Sequence, residues 1–125
     1  MPPEVDEVSR QVVDSIFSVH SGLGPGLLES AYEVCLAHEL AKRELKVDRQ
    51  LSLPVQYDGI RMDSGLRLDL LIESCLVVEL KAVETLLPVH KAQLLTYLKL
   101  SGHRVGLLVN FNVVLIKDGI VRVVL

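Results

Sequence analysis

Apolar residues recur at spacings of three and four over the first twenty positions. Val5, Val8, Val12, Val13, Ile16 and Phe17 fall on one stripe, which predicts an amphipathic helix over residues 4–20. The run HSGLGPG breaks that pattern. Pro25 suits the first position of a second helix, which the spacing carries to about Lys46. Leu27, Leu28, Ala31, Cys35, Leu36 and Leu40 form its apolar face. Alternation with period two then takes over. LSLPVQY ends at Asp58-Gly59, a hairpin turn signal, and Pro54 within it marks an edge strand or a bulge. Residues 60–72 supply the partner strand, irregular near Gly65, and residues 76–82 a third strand. Pro88 opens a helix that runs to about Ser101, with Gly102 as its stop. RVGLLVNF predicts a buried strand, and VVLIKDGIVRVVL a last hairpin turning at Asp118-Gly119. A strand–helix–strand passage favours a right-handed crossover and a locally parallel pair. The expectation is therefore an α/β fold of mixed α+β character, a central mixed sheet with helices on both faces.

One stretch combines that greasy alternation with charge. In LRLDLLIESCLVVELKAV, residues 66–83, Leu66, Leu68, Leu70 and Ile72 share one face of a strand; Arg67, Asp69, Leu71 and Glu73 share the other. On the next strand Val78, Leu80 and Ala82 point one way, and Val77, Glu79 and Lys81 the other. A turn near Ser74-Cys75 sets Asp69 opposite or diagonal to Glu79, within roughly 5–8 Å. Two carboxylates that close repel unless a cation lies between them. Either Arg67 and Lys81 supply it, as on an ordinary salt-bridged outer face, or a divalent metal does. Mg²⁺ takes carboxylate oxygens while keeping waters, polarises a phosphoryl oxygen and lowers the pKa of a bound water. A lysine beside it orients that water or stabilises developing charge.

Composition narrows the setting. A chain of 125 residues suits a single domain spanning 1–125. Half of the residues are hydrophobic and 23% are charged, which favours a covered sheet or an oligomer. The last predicted hairpin is apolar on both faces and leaves an edge that a homodimer would cover. No apolar run reaches the roughly 18 residues of a membrane span, and the acidic, polar start MPPEVDEVSR is unlike a secretory signal. The expectation is a cytoplasmic protein without membrane association, its Cys35 and Cys75 free thiols. Two cysteines and four scattered histidines lack the grouping of a zinc site. The net charge of −3 does not announce a nucleic-acid binder, but its distribution is uneven. Residues 1–48 hold nine acids against four Lys/Arg, whereas no acid occurs from Thr85 to Lys117. Those cations either form a locally basic region or are dispersed over a solvated surface.

The pattern D-x(9)-E-x-K across a hairpin, after one helix and before another, resembles the PD-(D/E)XK nuclease superfamily. GLLESAY, Gly26 to Tyr32, is a literal G-x-x-E-x-x-Y, the motif of the GxxExxY protein family. QLLTY, Gln93 to Tyr97, is similar to the Q-x-x-x-Y element of the RecB-like branch of these nucleases. The resemblance covers roughly residues 20 to 125. It implies a restriction-endonuclease-like core, αβββαβ, here with an extra N-terminal helix and a C-terminal hairpin. It implies Asp69 and Glu79 as ligands of Mg²⁺ or Mn²⁺, Lys81 as the catalytic lysine, and Glu29 as a further carboxylate for the metal or its waters. Gln93 and Tyr97, four apart on one helix face, would hold a phosphate, a base or the lysine. His90 lies three residues before Gln93 on that face, and Arg67 would pair with Asp69 or contact phosphate. The residue before Asp69 is Leu68, not the proline of the superfamily name. The implied activity is metal-dependent hydrolysis of phosphodiester bonds, on DNA ahead of RNA, leaving 5′-phosphate and 3′-hydroxyl ends. The basic stretch from His90 to Arg104 would guide the backbone. The alternative is a non-catalytic module on the same fold that binds nucleic acid or a protein. Small size, the acidic total and the scarcity of aromatics (no Trp, two Phe, three Tyr) favour that alternative.

Overall fold

The computed structural model describes residues 4–125. Helices α1 (Val5–Leu23) and α2 (Glu29–Lys42) precede strands β1 (Val47–Tyr57), β2 (Ile60–Ile72) and β3 (Leu76–Lys81). Helix α3 (Pro88–Ser101), strand β4 (Val105–Asn110), a 3₁₀ turn (Ile116–Gly119) and strand β5 (Ile120–Val124) complete the chain. The five strands lie side by side in chain order. Only the β3–β4 pair is parallel, joined by the α3 crossover, so the sheet is mixed. The elements from α2 to β4 follow the order αβββαβ, with α1 before and β5 after. No helix among the described residues is long and apolar enough to cross a membrane.

Two apolar clusters sandwich the sheet. Val12 and Ile16 of α1 and Leu36 and Leu40 of α2 pack on Leu70, Ile72, Val78, Leu80, Leu107 and Val109. Leu94 and Leu98 of α3 pack on Leu66, Leu68, Leu71, Val77, Leu108 and Val123 across the sheet. The even-numbered leucines of β2 therefore do not share one partner, as uninterrupted alternation predicts. Leu66 and Leu68 pack with α3, whereas Leu70 and Ile72 pack with α1 and α2. The switch falls at Asp69. The β2–β3 ladder runs from Ile72↔Leu76 to Leu70↔Val78 and ends there. Beside Asp69 on β1, Gln50 adopts a left-handed backbone, φ 49°. The outer β1–β2 ribbon departs from the sheet at this point and turns its apolar face to α3.

Several local signals act as their chemistry dictates. Pro54 sits where the β1–β2 register shifts, on an edge strand that needs no further donor. Gly65 faces that bulge, and a Cβ there would stand 2.7 Å from Val55 Cβ. Asp58 and Gly59 both have positive φ, the geometry of a tight hairpin turn.

Several expectations differ from the structure: α1 runs on to Leu23 rather than ending near residue 20, and β1 begins at Val47, ahead of Leu51. Helix α2 starts at Glu29 rather than Pro25, because Gly24 (φ 69°) and Gly26 (φ 101°) hold backbone that no right-handed helix contains. It ends at Lys42 rather than Lys46, closed by Leu45 N–H on the Leu40 carbonyl and Glu44 N–H on that of Ala41, with Glu44 left-handed. The last hairpin is not the one predicted. β5 pairs with β4, and residues 111–115 are not strand. A ring nitrogen of His20 meets the Val113 carbonyl at 2.8 Å and Ile116 is buried in the α1–α2 cluster, so this segment is drawn toward α1.

Candidate metal and nucleic-acid site

Where the β2–β3 ladder ends, side chains take over from backbone. Asp69 N–H donates to Glu79 Oε2 at 2.7 Å, and Leu80 N–H donates to Asp69 Oδ2 at 2.9 Å. Each carboxylate thus replaces a carbonyl that the diverging strand no longer offers. Each also keeps a second oxygen. Asp69 Oδ1 accepts only a long bond, 3.4 Å, from Gln50 Nε2, and Glu79 Oε1 has no protein donor among the described residues. Lys81, two residues after Glu79 on the same side of β3, donates from Nζ to Gln93 Oε1 at 3.3 Å. Gln93 in turn donates from Nε2 to Tyr97 Oη at 3.0 Å, one helical turn along α3.

Glu29 enters from the other side, as the first residue of α2. The loop ahead of it is pinned by Tyr32. That hydroxyl donates to the Gly24 carbonyl at 2.6 Å and accepts the Leu27 N–H at 3.1 Å. The fully buried Tyr32 ring stacks on Phe111, centroids 4.4 Å apart. Phe111 N–H donates to the Lys81 carbonyl at 3.0 Å. The start of α2 and the end of β3 are therefore braced against one another through the two rings. Tyr32 packs in the core and also fixes the backbone that presents Glu29.

These residues line a cleft of about 530 Å³. Glu29, Asp69, Glu79, Lys81, Gln93, Tyr97 and Arg67 all border it, joined by Ser52, Ser64, Gly65 and Leu66 of the outer ribbon. Of the sequence-predicted residues only His90 is not brought there. Its Nδ1 accepts the Leu87 N–H at 2.9 Å and so caps α3. Arg67 is exposed and forms no ion pair with Asp69, and Lys81 forms none with either acid, among the described residues. Of the two alternatives, direct ion pairing is not seen among the described residues, although the charge of Lys81 still acts against the burial that raises the pKa of both acids.

The carboxyls are pushed up together. Burial, then the charge of Asp69, raise Glu79 to about 8. Burial raises Asp69 against the Leu80 N–H bond and the charge of Lys81. Glu29, which solvent still reaches, is raised by partial burial and by Asp69. Burial and the charges of Glu79 and Asp69 likewise raise Tyr97. Burial leads each of the three carboxyl shifts, and the charge of Asp69 adds to those of Glu79 and Glu29, which makes this cleft a candidate functional site.

Among the described residues no three His, Cys, Asp or Glu side chains are drawn together closely enough to hold an ion as they stand. The donors nevertheless fit a hard divalent cation that keeps part of its water shell. Asp69 and Glu79 each have an oxygen free of backbone, and Glu29 faces the same cleft.

Sequence reasoning missed two contributors. Glu33, buried in α2, binds Arg49 at 3.0 Å and Gln50. Gln50 bridges Glu33 and Asp69. Glu33 lies four residues after Glu29, a spacing that the sequence displays. Nothing in a strand pattern marks Gln50. No curated protein and no solved structure matches the chain. A family model described as the PD-(D/E)XK nuclease superfamily matches residues 6–123, nearly the whole length. With that match, the split hairpin and the mixed sheet behind it have a common explanation: the chain belongs to the PD-(D/E)XK nuclease superfamily.

Proposed function

We propose that this protein hydrolyses phosphodiester bonds in nucleic acid with the help of Mg²⁺ or Mn²⁺, and that residues 1–125 act as one domain. Asp69 and Glu79 would hold the ion through the oxygens their backbone bonds leave free, with Glu29 contributing directly or through water. The bound ion supplies Lewis-acid polarisation of a phosphoryl oxygen and a water of lowered pKa. Glu79, whose pKa its surroundings raise to about 8, would release its proton to solvent on holding a cation. Lys81, aimed by Gln93, would orient the attacking water or stabilise the charge that grows on the phosphoryl oxygens. Arg67, exposed on the cleft wall, would contact a phosphate of the bound strand. Tyr97, which borders the cleft, would hold Gln93 in place. Gly26, Glu29 and Tyr32, with Gln93 and Tyr97, support a closer place in the GxxExxY family and near the RecB-like branch. By that likeness DNA comes ahead of RNA.

The observation that carries the reading is the crossed pair of backbone bonds. They hold two acids side by side, each with an oxygen to spare, beside a lysine that neither acid neutralises by contact. The test incubates purified protein with single- and double-stranded DNA and RNA, in Mg²⁺ or Mn²⁺, alongside Glu79→Gln and Lys81→Met. Metal-dependent cleavage lost in both variants is expected. Cleavage that persists unchanged in either variant sinks the assignment. Binding without cleavage by the wild type would instead favour the non-catalytic module.

A further inference from the structure

We infer that Gln50 is a positioning residue for Asp69, held in place by buried Glu33 and the half-exposed Arg49 that pairs with it. The inference rests on the reading of Asp69 as a metal ligand and adds the group that aims it. β1 is regular on both sides of Gln50, with Arg49↔Leu70 and Leu51↔Leu68 in one register. Between these two pairs Gln50 departs from it, at φ 49°. Glutamine has neither glycine's missing Cβ nor the short side chain with which asparagine bonds its own backbone, so its left-handed conformation is imposed from outside. What surrounds the side chain explains it. Its Nε2 donates to Glu33 Oε1 and to Asp69 Oδ1, the latter at 3.4 Å. One amide nitrogen has two protons, and each finds a carboxylate. With two acceptors facing it, only the NH₂ end of the amide can point inward.

Glu33 is fixed in its turn. Arg49 grips its other oxygen, Oε2, through Nε at 3.2 Å and Nη2 at 3.0 Å. Glu33 is 8% exposed, so neither oxygen is left to water alone. The order of support runs from Arg49 to Glu33, to Gln50, to Asp69. Asp69 is then held at both ends, Oδ2 by Leu80 N–H and Oδ1 by Gln50. Its carboxylate plane is set before any cation arrives, and the long, weak bond to Oδ1 leaves that oxygen free to coordinate. Supporting groups of this kind, one bond behind a ligand, typically change metal affinity by about 10-fold or more when removed.

The position offers a clean variant. Gly at 50 accepts φ 49° without strain and deletes the amide, so relief at the backbone offsets part of the lost Glu33 bond and Gln50→Gly is expected to stay folded. Asn also tolerates left-handed backbone and keeps an amide, but is one methylene shorter. Mn²⁺ binding is measured by titration calorimetry on the full chain, with thermal melting as the control for folding. Mn²⁺ affinity about 10-fold weaker in Gln50→Gly, with a cooperative melt well above the assay temperature and partial recovery in Gln50→Asn, is the expected result. Wild-type binding that Gln50→Gly reproduces within twofold overturns the inference and leaves the metal site standing. A wild type that binds no Mn²⁺, even with nucleic acid present, overturns the metal site and this inference with it.

Discussion

Glu79→Gln separates the electrostatic stress on the site from its chemistry. Glu79 is 4% exposed and its pKa is raised from 4.5 to about 8, chiefly by burial and then by Asp69. Folding therefore favours the protonated carboxyl. Its contribution is complete below about pH 4.5 and is lost as pH rises through about 8. At about 1.4 kcal/mol for each pH unit, the full separation sets a ceiling near ~5 kcal/mol. Asp69 and Glu29 titrate with Glu79 and share that amount. A working value for Glu79 is about 2–3 kcal/mol between pH 5 and pH 9, or roughly 10 °C in melting temperature for a chain of this size. Glutamine keeps an oxygen for the Asp69 N–H and cannot ionise. In buffer containing chelator, the wild type is expected to lose that stability over this range, relative to Glu79→Gln. Urea melts of both proteins at four pH values give the comparison. Parallel stability curves from pH 5 to pH 9 would refute the claim that burying this acid stresses the fold.

Two further substitutions test other links. Tyr32→Phe keeps the stacked ring and deletes the hydroxyl that holds Gly24 and Leu27. Stability should fall by about 1–2 kcal/mol in urea, and Mn²⁺ affinity should weaken as the backbone before Glu29 loosens. Unchanged Mn²⁺ affinity in a destabilised variant would confine Tyr32 to the core. Arg67→Ala removes an exposed cation from the cleft wall. Nucleic-acid binding should weaken and its log–log salt slope should flatten by about 1, measured by fluorescence anisotropy across a salt series. An unchanged slope would mean that Arg67 touches no phosphate.

Much of the fold was legible because each signal was local. Pro88 and Gly102 bound α3, Asp58-Gly59 turns the first hairpin, and Pro54 lies at the bulge. The site was legible for a related reason. Period two puts Glu79 and Lys81 on one side of β3, and a spacing of four puts Gln93 and Tyr97 on one side of α3. What escaped was decided by contacts between elements. The end of α2 depends on a left-handed Glu44, and the course of residues 111–116 on His20 and the α1–α2 core. His90 has the spacing of a cleft residue but is engaged by its own helix start. The exchange of faces between Leu68 and Leu70 was invisible because counting alternate residues assumes an unbroken ladder.

The break in that ladder and the candidate site are one event. Had β2 stayed paired with β3, Asp69 N–H and Leu80 N–H would have found carbonyl partners in the sheet, and the two acids would have been buried without donors. Because the strands part there, two backbone N–H groups are released beside two carboxylates, and each takes the other's oxygen. A buried carboxylate with a backbone donor is tolerable where a bare one is not. The same accounting works in reverse. Alanine at Asp69 or Glu79 leaves a buried N–H unsatisfied, a loss of about 1–3 kcal/mol that has nothing to do with chemistry. Asparagine and glutamine keep one oxygen for the backbone N–H and replace the other, the one left for a cation, with an NH₂ that cannot ionise. A fall in activity with Asp69→Asn or Glu79→Gln therefore reports on the site, whereas the alanine variants report on the site and the hairpin together.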